Sequence, residues 1–411
     1  MSKTSWAKEN MKVLLLEGVH PSAVEVFNAD GYTWISYHDT ALAEAALLAE
    51  ARDAHFIGIR SRTRLTAQLF AEARRLLAVG CFCIGTNQVD LAAARERGVA
   101  VFNAPFSNTR SVAELIVAET IMLLRRIPEK NLAAHRGGWQ KSAKGAREVR
   151  GKRVGIVGYG HIGTQVGVLM ESLGMRVYFY DVETKLALGN ATPVNSLEEL
   201  LERVDVVTLH VPETPQTRWL MGEAELARMR PGSVLLNASR GTVVDIQALE
   251  AALASGHLAG AAIDVFPEEP ASNDAPFVSP LQRFDNVILT PHVGGSTVEA
   301  QQNIGVEVAA KLVKYSNNGS TMTSVNLPEV ALPTHPGSHR LLHVHRNVPG
   351  MLSQVNEIFS QNRINIDAQY LQTNEHIGYV VIDVDTDEES ARLALRRLRA
   401  IQGTIRARVL Y

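Results

Sequence analysis

The sequence predicts an α/β protein with two doubly wound parallel sheets, followed by a small ferredoxin-like α+β domain. Three observations support this fold class. Short apolar runs alternate with helical patterns in the first hundred residues, the alternation returns after Gly151, and roughly the last 75 residues change to a β-α-β-β-α-β order. Strands separated by helices form parallel sheets, whereas the final order is that of a split βαβ domain.

The first region contains five apolar runs that we predict to be strands, because a helical pattern follows nearly every run. These runs are residues 13–16, 34–37, 55–59, 76–84 and 99–102. Ser111 and Glu114 have the spacing of a capping box, which predicts a helix that starts at Ser111 and continues through Leu124. This helix is apolar on nearly all sides, so we expect it to be buried between domains or against a second subunit.

The same patterns predict the helices and strands in the rest of the chain. In the middle region we predict a helix capped by Ser196, a returning helix over 298–315, and strands at 154–157, 175–180, 204–211, 234–238, 259–265 and 287–290. Asn, Gly, Pro and Ser residues around 317–320 and 332–338 indicate a linker. In the last region we predict helices over 351–361 and 389–400, and strands over 340–346, 364–372, 379–384 and 405–410.

A glycine-rich turn follows the strand at 154–157. Gly158, Gly160 and Gly163 form GxGxxG between a strand and a helix, and Asp181 stands 18 residues after Gly163, at the end of the next apolar run. This context is typical of a dinucleotide site, where the glycines admit the pyrophosphate and the helix N-terminus faces it. The acid can accept both ribose hydroxyls and repels a 2′-phosphate, so NAD is favoured over NADP.

The position of this turn predicts the domain organisation. Because about a hundred residues with a sheet of their own precede it, we predict a Rossmann-type NAD-binding domain inserted in a flavodoxin-like substrate-binding domain. The substrate-binding domain comprises 1–108 and 295–336, the NAD-binding domain 109–294, and the terminal domain 337–411.

Composition excludes several classes of protein. The chain has 411 residues, of which 46% are hydrophobic and 20% charged, and its formal net charge is −2, so no global field attracts nucleic acid or membranes. The start is polar, with no visible secretory signal, and no apolar stretch is long enough for a membrane span. Cys81 and Cys83 match no zinc or disulfide framework. We therefore expect a cytoplasmic protein with buried thiols and no metal site.

Candidate catalytic side chains follow the strands after the fingerprint. Arg240, Asp264 and His292 each lie at or just beyond a strand end, and Glu269 follows Asp264 closely. Histidine suits removal of an alcohol proton, a carboxylate such as Glu269 raises the pKa of the imidazole, and arginine binds a substrate carboxylate. Each alone is compatible with an ordinary loop residue, but together at one sheet edge they predict hydride transfer.

The first region offers a candidate anion site. Arg60 and Arg62 flank Ser61 at the end of the third predicted strand, where they fit a phosphate on the far end of a substrate; solvation or contact with a partner subunit is the alternative. Asn108 lies where the chain crosses between domains, so we expect it either to touch substrate or to shape the turn.

Several segments together resemble one family. They are GYGHIG, LHVPET, NASRGTVVD, AAIDVFPEEP and LTPHVGGST, in chain order from Gly158 to Thr297. With these segments the sequence resembles the D-isomer-specific 2-hydroxyacid dehydrogenases over essentially its whole length. RSRT, APFSNTRSVAE and the appended domain narrow the resemblance to the bacterial branch that carries a single C-terminal ACT domain.

The resemblance implies NAD-dependent oxidation of 3-phospho-D-glycerate to 3-phosphohydroxypyruvate, the first step of phosphorylated L-serine biosynthesis. It implies that His292 is the proton donor, Glu269 its partner and Arg240 the substrate-binding arginine, and that Arg60, Ser61, Arg62 and Asn108 bind substrate. The cofactor residues it implies are Gly158, Gly160, His161, Ile162, Gly163, Asp181, His210, Val211, Pro212, Ala238, Ser239, Arg240, Asp264, His292, Val293, Gly294 and Gly295.

The resemblance also implies that the terminal domain is an allosteric ACT module. Such modules pair across subunits, and here L-serine is the implied feedback effector. His345 and Asn347 fit the first strand-to-helix turn of the effector site, and Asn365 fits its opposing wall; an ordinary capped turn is the alternative. A homotetramer is implied, with no nucleic-acid or membrane partner.

Two alternatives remain at this point. Some relatives are NAD-sensing transcriptional corepressors that keep the Arg-Glu-His set, but they rely on disordered tails, and this chain ends on a predicted strand at Tyr411. The other alternative keeps the chemistry and changes the substrate to hydroxypyruvate, lactate or 2-hydroxyglutarate. Because Arg60 and Arg62 do not distinguish phosphate from carboxylate, a side activity that reduces 2-oxoglutarate to 2-hydroxyglutarate stays open.

Overall fold

A computed structural model describes residues 7–270, 274–335 and 337–410. The first sheet has five parallel strands in the order β2-β1-β3-β4-β5. Its strands are β1 (Lys12–Leu15), β2 (Ile35–Tyr37), β3 (Ala54–Ile59), β4 (Ala78–Cys81) and β5 (Ala100–Phe102). The helices of this region are α1 (Ser22–Ala29), α2 (Glu44–Ala51), α3 (Ala67–Glu72) and α4 (Leu91–Glu96).

The second sheet has seven parallel strands in the order β12-β11-β10-β9-β6-β7-β8. Its strands are β6 (Arg153–Val157), β7 (Arg176–Tyr180), β8 (Thr192–Pro193), β9 (Val206–Leu209), β10 (Ser233–Asn237), β11 (Leu258–Ile263) and β12 (Val287–Leu289). The strand order reverses between β6 and β9. Ligands bind at such a switch point, outside the carboxyl ends of the strands.

The second sheet is accompanied by a further set of helices, and α11 then returns to the first region. These helices are α5 (Thr109–Leu124), α6 (Ile127–His135), α7 (His161–Ser172), α8 (Leu197–Arg203), α9 (Glu223–Arg228), α10 (Ile246–Ala254) and α11 (Val298–Asn318). The predicted cap of α8 is confirmed, since the Ser196 side chain accepts from the Glu199 N–H. Among the described residues no helix has the length and apolar character that a membrane crossing requires.

The third sheet is antiparallel, in the order β14-β15-β13-β16. It consists of β13 (His339–Arg346), β14 (Ile366–Thr373), β15 (Ile377–Val384) and β16 (Thr404–Leu410), and it carries α12 (Met351–Gln361) and α13 (Glu388–Ala400). The predicted fold class, two parallel α/β sheets and a ferredoxin-like domain, is confirmed. Met1 to Trp6, Pro336 and Tyr411 fall in predicted domains but lie outside the described residues.

Contacts group the chain into two compact units, with divisions after Ser107 and after Ala300. Asn108 and residues 295–300 fall in the second unit, whereas the sequence analysis assigns them to the substrate-binding domain. The functional domain boundaries stay a prediction. In the first unit, Leu342 and Tyr379 of the third sheet share one hydrophobic core with Val308 and Leu312 of α11. The third sheet therefore packs against α11 of the same unit as well as against its own helices, α12 and α13.

The predicted capping box at Ser111 is wrong. Helix α5 already begins at Thr109, and the Ser111 hydroxyl lies 2.8 Å from that of Thr297. Glu114 pairs with Arg110 one turn earlier, at 2.6 Å. The S-x-x-E spacing also occurs inside a helix, where each side chain can find another partner, so the local pattern did not locate the helix start.

Candidate active site

The glycine-rich turn between β6 and α7 is shaped by close backbone contacts. Gly158 has φ +90°, and a Cβ there would lie 2.4 Å from the His210 carbonyl oxygen. A Cβ at Gly163 would lie 2.2 Å from the Gly158 oxygen, so α7 packs directly on the turn. A Cβ at Gly160 would meet no atom within 4 Å. The turn is thus closed on its protein side and open where a pyrophosphate would approach.

Asp181 follows β7 directly and closes the turn from the neighbouring strand. One carboxylate oxygen accepts from the Tyr159 N–H at 2.8 Å, and the other accepts from the Glu183 N–H at 2.9 Å. The acid therefore lies beside the glycine turn, in the position that a dinucleotide ribose requires. The predicted contact of Asp181 with the adenosine ribose of NAD stays a prediction. The roles of His161 and Ile162, at the start of α7, stay predictions.

His210 presents its main chain rather than its side chain to the turn. Its imidazole is buried 2.9 Å from the Thr208 hydroxyl, and burial lowers the pKa of His210 to about 3. The ring is therefore neutral at physiological pH. The Pro212 carbonyl accepts from the Thr217 hydroxyl at 2.6 Å. Cofactor contacts by His210, Val211 and Pro212 stay predictions, and for His210 the geometry favours a main-chain contact.

Asn237, which the sequence analysis did not select, organises the loop that carries Arg240. Its buried amide oxygen accepts from the N–H and hydroxyl of Ser239, and its amide nitrogen donates to the Arg240 carbonyl at 3.0 Å. A Cβ at Gly241 would overlap the Phe266 backbone at 2.0 Å. The two loops that bear Arg240 and Glu269 are therefore in direct contact.

Asp264 holds the loop that carries His292. Its carboxylate is buried and accepts from the Thr290 hydroxyl at 2.7 Å, and from the N–H groups of Val293 and Gly294 at 2.8 Å each. The His292 N–H donates to the Asp264 carbonyl at 2.8 Å. Since these groups occupy both carboxylate oxygens, the structure gives Asp264 a positioning contact; its predicted contact with NAD is untested.

His292 and Glu269 form a hydrogen-bonded pair. Nδ1 of His292 lies 2.9 Å from Oε2 of Glu269, while Oε1 accepts from the Phe266 N–H at 3.2 Å. His292 has φ +55°, a left-handed conformation uncommon outside glycine. The bond leaves Nε2 of the imidazole for another partner.

The pair has coupled pKa shifts. The hydrogen bond that the imidazole donates to the Glu269 carboxylate raises the pKa of His292, and burial has the opposite, smaller effect. Burial would raise the pKa of Glu269, but the hydrogen bond and charge of His292 outweigh it and hold that pKa below its usual value. The charge of Arg240 lowers both pKa values. The structure therefore brings the imidazole, the acid and the guanidinium together, as the sequence analysis expects.

In the first unit, Glu17 builds the loop of Arg60 to Arg62. Its buried carboxylate accepts from the N–H groups of Arg60, Arg62 and Thr63 at 3.2, 2.9 and 2.8 Å. Ser61 and Arg62 are exposed and Arg60 is half-buried. The sequence analysis missed Glu17, whose signal was an acid that follows an apolar strand and precedes Gly18. The substrate-binding roles of Arg60, Ser61 and Arg62 stay predictions.

Asn108 belongs to the second unit and packs against the end of the His292 loop. A Cβ at Gly295 would lie 2.4 Å from the amide nitrogen of Asn108, and the amide oxygen is buried with no hydrogen-bond partner among the described residues. This unsatisfied acceptor is compatible with a ligand contact, which stays a prediction. No group of three or more potential metal ligands occurs within the described ranges.

The predicted effector residues do not meet within one chain. His345 is buried against Gly378, and Asn347 donates to the Asn374 carbonyl at 2.8 Å. Asn365 precedes Ile366, which pairs with Val384 at the other end of the sheet. These ends are seven residues apart along β15, from Ile377 to Val384, which corresponds to about 23 Å. A site with Asn347 on one wall and Asn365 on the other requires two chains.

Glu119 is a buried carboxyl group that the sequence analysis did not select. It is 3% exposed on α5, and its Oε1 has no hydrogen-bond partner among the described residues. Burial, with a further contribution from the charge of Asp264, raises the pKa of Glu119 to about 8. Glu119 is therefore mostly protonated near neutral pH. Its spacing from Ile116 and Leu123 on the buried face was the available signal.

Comparison with known proteins agrees with this site. The model described as D-isomer specific 2-hydroxyacid dehydrogenase, NAD binding domain, matches residues 117–294, and one described as AHAS small subunit-like ACT domain matches 341–406. The D-3-phosphoglycerate dehydrogenase of Escherichia coli (strain K12) is 62% identical over 411 residues, 100% of both chains. The chain belongs to the D-isomer-specific 2-hydroxyacid dehydrogenase family. The D-3-phosphoglycerate dehydrogenase of Haemophilus influenzae is 60% identical over 410 residues, again 100% of both chains.

Solved structures of this dehydrogenase family support the cofactor. D-lactate dehydrogenase from Aquifex aeolicus, in complex with NAD and lactic acid, has a TM-score of 0.67 at 27% identity, over 77% of this chain and 100% of that chain. D-2-hydroxyisocaproate dehydrogenase has a TM-score of 0.68 at 27% identity, with the same coverage. The predicted family, enzyme class and cofactor are confirmed: this dehydrogenase uses NAD.

The raised pKa of Glu119 should make the dehydrogenase less stable as the pH rises. The folded protein keeps a proton on Glu119 up to about pH 8, whereas the unfolded chain loses it near the ordinary value of 4.5. Protonated Glu119 therefore contributes fully to the free energy of unfolding below pH 4.5, the pKa of the unfolded chain. As the pH rises from there through the folded pKa of about 8, this contribution is lost, by at most about 1.4 kcal/mol per pH unit.

Urea unfolding at pH 6, 7 and 8 tests this expectation. Glu119→Gln should remove the contribution, so its stability should fall less steeply with pH than that of the wild type. Glu114→Gln, on the exposed side of the same helix, is the matched control and should keep the wild-type pH dependence. Identical pH dependence in Glu119→Gln and wild type would show that Glu119 is ionised in the folded protein.

Proposed function

We propose that this dehydrogenase oxidises 3-phospho-D-glycerate to 3-phosphohydroxypyruvate, in the first step of phosphorylated L-serine biosynthesis. The observation that carries the chemistry is the His292–Glu269 pair, 2.9 Å apart, at the carboxyl edge of an NAD-binding sheet and within the field of Arg240. The substrate is supported by relatives with the name D-3-phosphoglycerate dehydrogenase at 60–62% identity over their full length.

The side chains divide the reaction between them. NAD, when bound, supplies the hydride acceptor. As the C2–H bond breaks, Nε2 of His292 accepts the hydroxyl proton, because Nδ1 is held by Glu269. The resulting imidazolium is stabilised by the Glu269 carboxylate, and the C2–O bond becomes a carbonyl. Arg240 binds the substrate carboxylate bidentately and orients C2. In the reverse direction His292 returns the proton to the carbonyl oxygen.

The loop that Glu17 holds supplies the proposed phosphate contacts. Glu17 accepts hydrogen bonds from the backbone N–H groups of Arg60, Arg62 and Thr63, so it positions the loop through its main chain. Two guanidinium groups around Ser61 suit a phosphate dianion better than a single carboxylate. Reduction of 2-oxoglutarate, whose distal group is a carboxylate, remains a proposed weaker side activity of the same site.

His292→Ala should lower turnover by about 10²–10⁴-fold while NADH still binds, because general acid–base catalysis is lost and the glycine turn is intact. Glu269→Gln replaces the carboxylate, whose hydrogen bond and negative charge raise the pKa of His292, with a neutral amide. Its pH–rate profile in the oxidative direction should therefore shift to lower pH on the acid side, since His292 must be neutral to accept the proton. Turnover of His292→Ala near the wild-type value would mean that another group moves the proton.

The substrate assignment is tested by initial rates with NADH on phosphohydroxypyruvate, 2-oxoglutarate and pyruvate. Phosphohydroxypyruvate should be reduced with the highest kcat/KM. Arg60→Ala and Arg62→Ala should lower that value by about tenfold or more each, while pyruvate, which lacks a distal anion, should be little affected. Arg52→Ala, on an exposed residue of the same unit, is the control. Equal rates on all three substrates would contradict the phosphate assignment.

We further propose that L-serine is the effector of the ACT domain and that its site is shared between two subunits. Strand β14 is an edge of the third sheet, and its backbone is available for pairing with a second copy. Antiparallel pairing of two β14 strands would bring Asn365 of one subunit to the end of the sheet that carries Asn347 in the other. Homo-oligomerisation, as the proposed tetramer, is then a condition for regulation.

Asn347→Ala and Asn365→Ala should each weaken serine inhibition by about tenfold, with unchanged activity in the absence of serine. Asn356→Ala, exposed on α12, is the matched control. In hybrids of Asn347→Ala and Asn365→Ala subunits, one site of each pair carries neither substitution, so part of the inhibition should return. Hybrids no more sensitive than either parent would contradict a shared site.

A further inference from the structure

A cavity in the first unit carries an unusual concentration of positive charge. It has a volume of about 390 Å³ and lies where β16 and the end of α13 meet the end of α11 and the turn before β4. We call it the basic cavity. Six cationic residues line it: Lys8, Arg74, Arg75, Arg399, Arg406 and Arg408.

Most of this charge has no counter-charge within the described ranges. Lys8 pairs with Asp30 at 2.6 Å, and exposed Arg75 lies 3.7 Å from Asp53. The other four arginines form no ion pair with a carboxylate of the described residues. Arg399, Arg406 and Arg408 donate only to backbone carbonyls, those of Ala407, Leu76 and Ser316 respectively. Guanidinium groups without carboxylates are costly to bury.

The Arg408 guanidinium has unused donor capacity. It lies 5.4 Å from the Tyr315 ring centroid, and its Nη1 is buried without a hydrogen-bond partner among the described residues. The positive charge of the cluster also affects the pKa values of neighbouring groups. Burial, together with smaller contributions from the charges of Arg408 and Arg97, lowers the pKa of Arg406 to about 10. Burial and the charge of Arg75 bring the pKa of His55 to about 4, with Arg408 acting in the same direction.

The walls of the cavity are packed. A Cβ at Gly98 would lie 2.8 Å from Cβ of Arg406, so β16 rests directly on the turn before β5. Backbone hydrogen bonds fix the position of each of the three donating guanidinium groups. The arginines are thus preorganised, which lowers the entropic cost of ligand binding.

We propose that the basic cavity binds a small polyvalent oxyanion, either inorganic phosphate or the phosphate group of a phosphorylated metabolite. Arginine forks match phosphate oxygens, and the volume is sufficient for a phosphate ester of a few carbons. The anion would contact the edge strand of the ACT sheet and α11 at once. Because it binds only the folded arrangement, it would stabilise this unit against unfolding.

Thermal unfolding of the full chain in inorganic phosphate, against sodium chloride of equal ionic strength, tests the site. Phosphate should raise the unfolding midpoint of the wild type. The shift should persist in Arg60→Ala/Arg62→Ala, which lacks the proposed substrate phosphate contacts. Arg408→Gln and Arg399→Gln should each weaken the phosphate affinity by about tenfold. Arg397→Gln, exposed on α13 and outside the cavity, is the matched control and should keep the full shift.

Two further measurements complete the test. If Arg408→Gln does not fold, Arg74→Gln, at the exposed rim, should lower the affinity instead. In Arg60→Ala/Arg62→Ala, tighter binding of glycerol phosphate than of inorganic phosphate would identify a phosphorylated metabolite as the ligand. Equal affinity for the two compounds would identify inorganic phosphate as the ligand. The proposal is overturned if phosphate has no effect beyond that of sodium chloride, or if the shift disappears in Arg60→Ala/Arg62→Ala and survives in Arg74→Gln, Arg399→Gln and Arg408→Gln.

Discussion

The geometry of the His292–Glu269 pair depends on the buried carboxylate of Asp264. Its oxygens take hydrogen bonds from three groups of the loop that carries His292. These bonds hold His292 in a left-handed conformation that costs about 1–3 kcal/mol by itself. Hydrogen bonds to a charged group contribute about 1.5–3 kcal/mol each, so three of them exceed that cost. The imidazole is consequently held against Glu269 before substrate arrives, and the same negative charge contributes to keeping Glu119 protonated.

Both candidate ligand loops are held in the same way, by a buried carboxylate that accepts hydrogen bonds from several backbone N–H groups. Glu17 collects three of them beneath Arg60 and Arg62, and Asp264 collects those of Val293 and Gly294. In each case the acid orients the backbone of the loop, and the side chains that we propose to contact a ligand belong to other residues of the same loop. Replacement of such an acid would therefore affect function through backbone position rather than through a lost substrate contact.

The third sheet is connected to the rest of its unit in two physically different ways. One face contributes Leu342 and Tyr379 to the core around α11, an apolar contact that excludes water. Buried Arg340 pairs with Asp383 at 2.6 Å and donates to the carbonyls of Asn318 and Pro333. The basic cavity lies beside these two contacts, and most of its positive charge has no counter-charge among the described residues.

The sequence alone determined the fold class and the glycine turn, and it selected the three side chains, His292, Glu269 and Arg240, that we propose to be catalytic. Periodicity reports which face of an element is buried, and the GxGxxG spacing lies between its strand and its helix in one short segment, so both can be inferred without neighbours. Tertiary structure decided the rest. It alone showed that Asp264 and Glu17 hold loops, that Ser111 does not cap α5, and that Asn347 and Asn365 lie at opposite ends of a sheet. These facts depend on which distant groups meet after packing, and no local pattern encodes that.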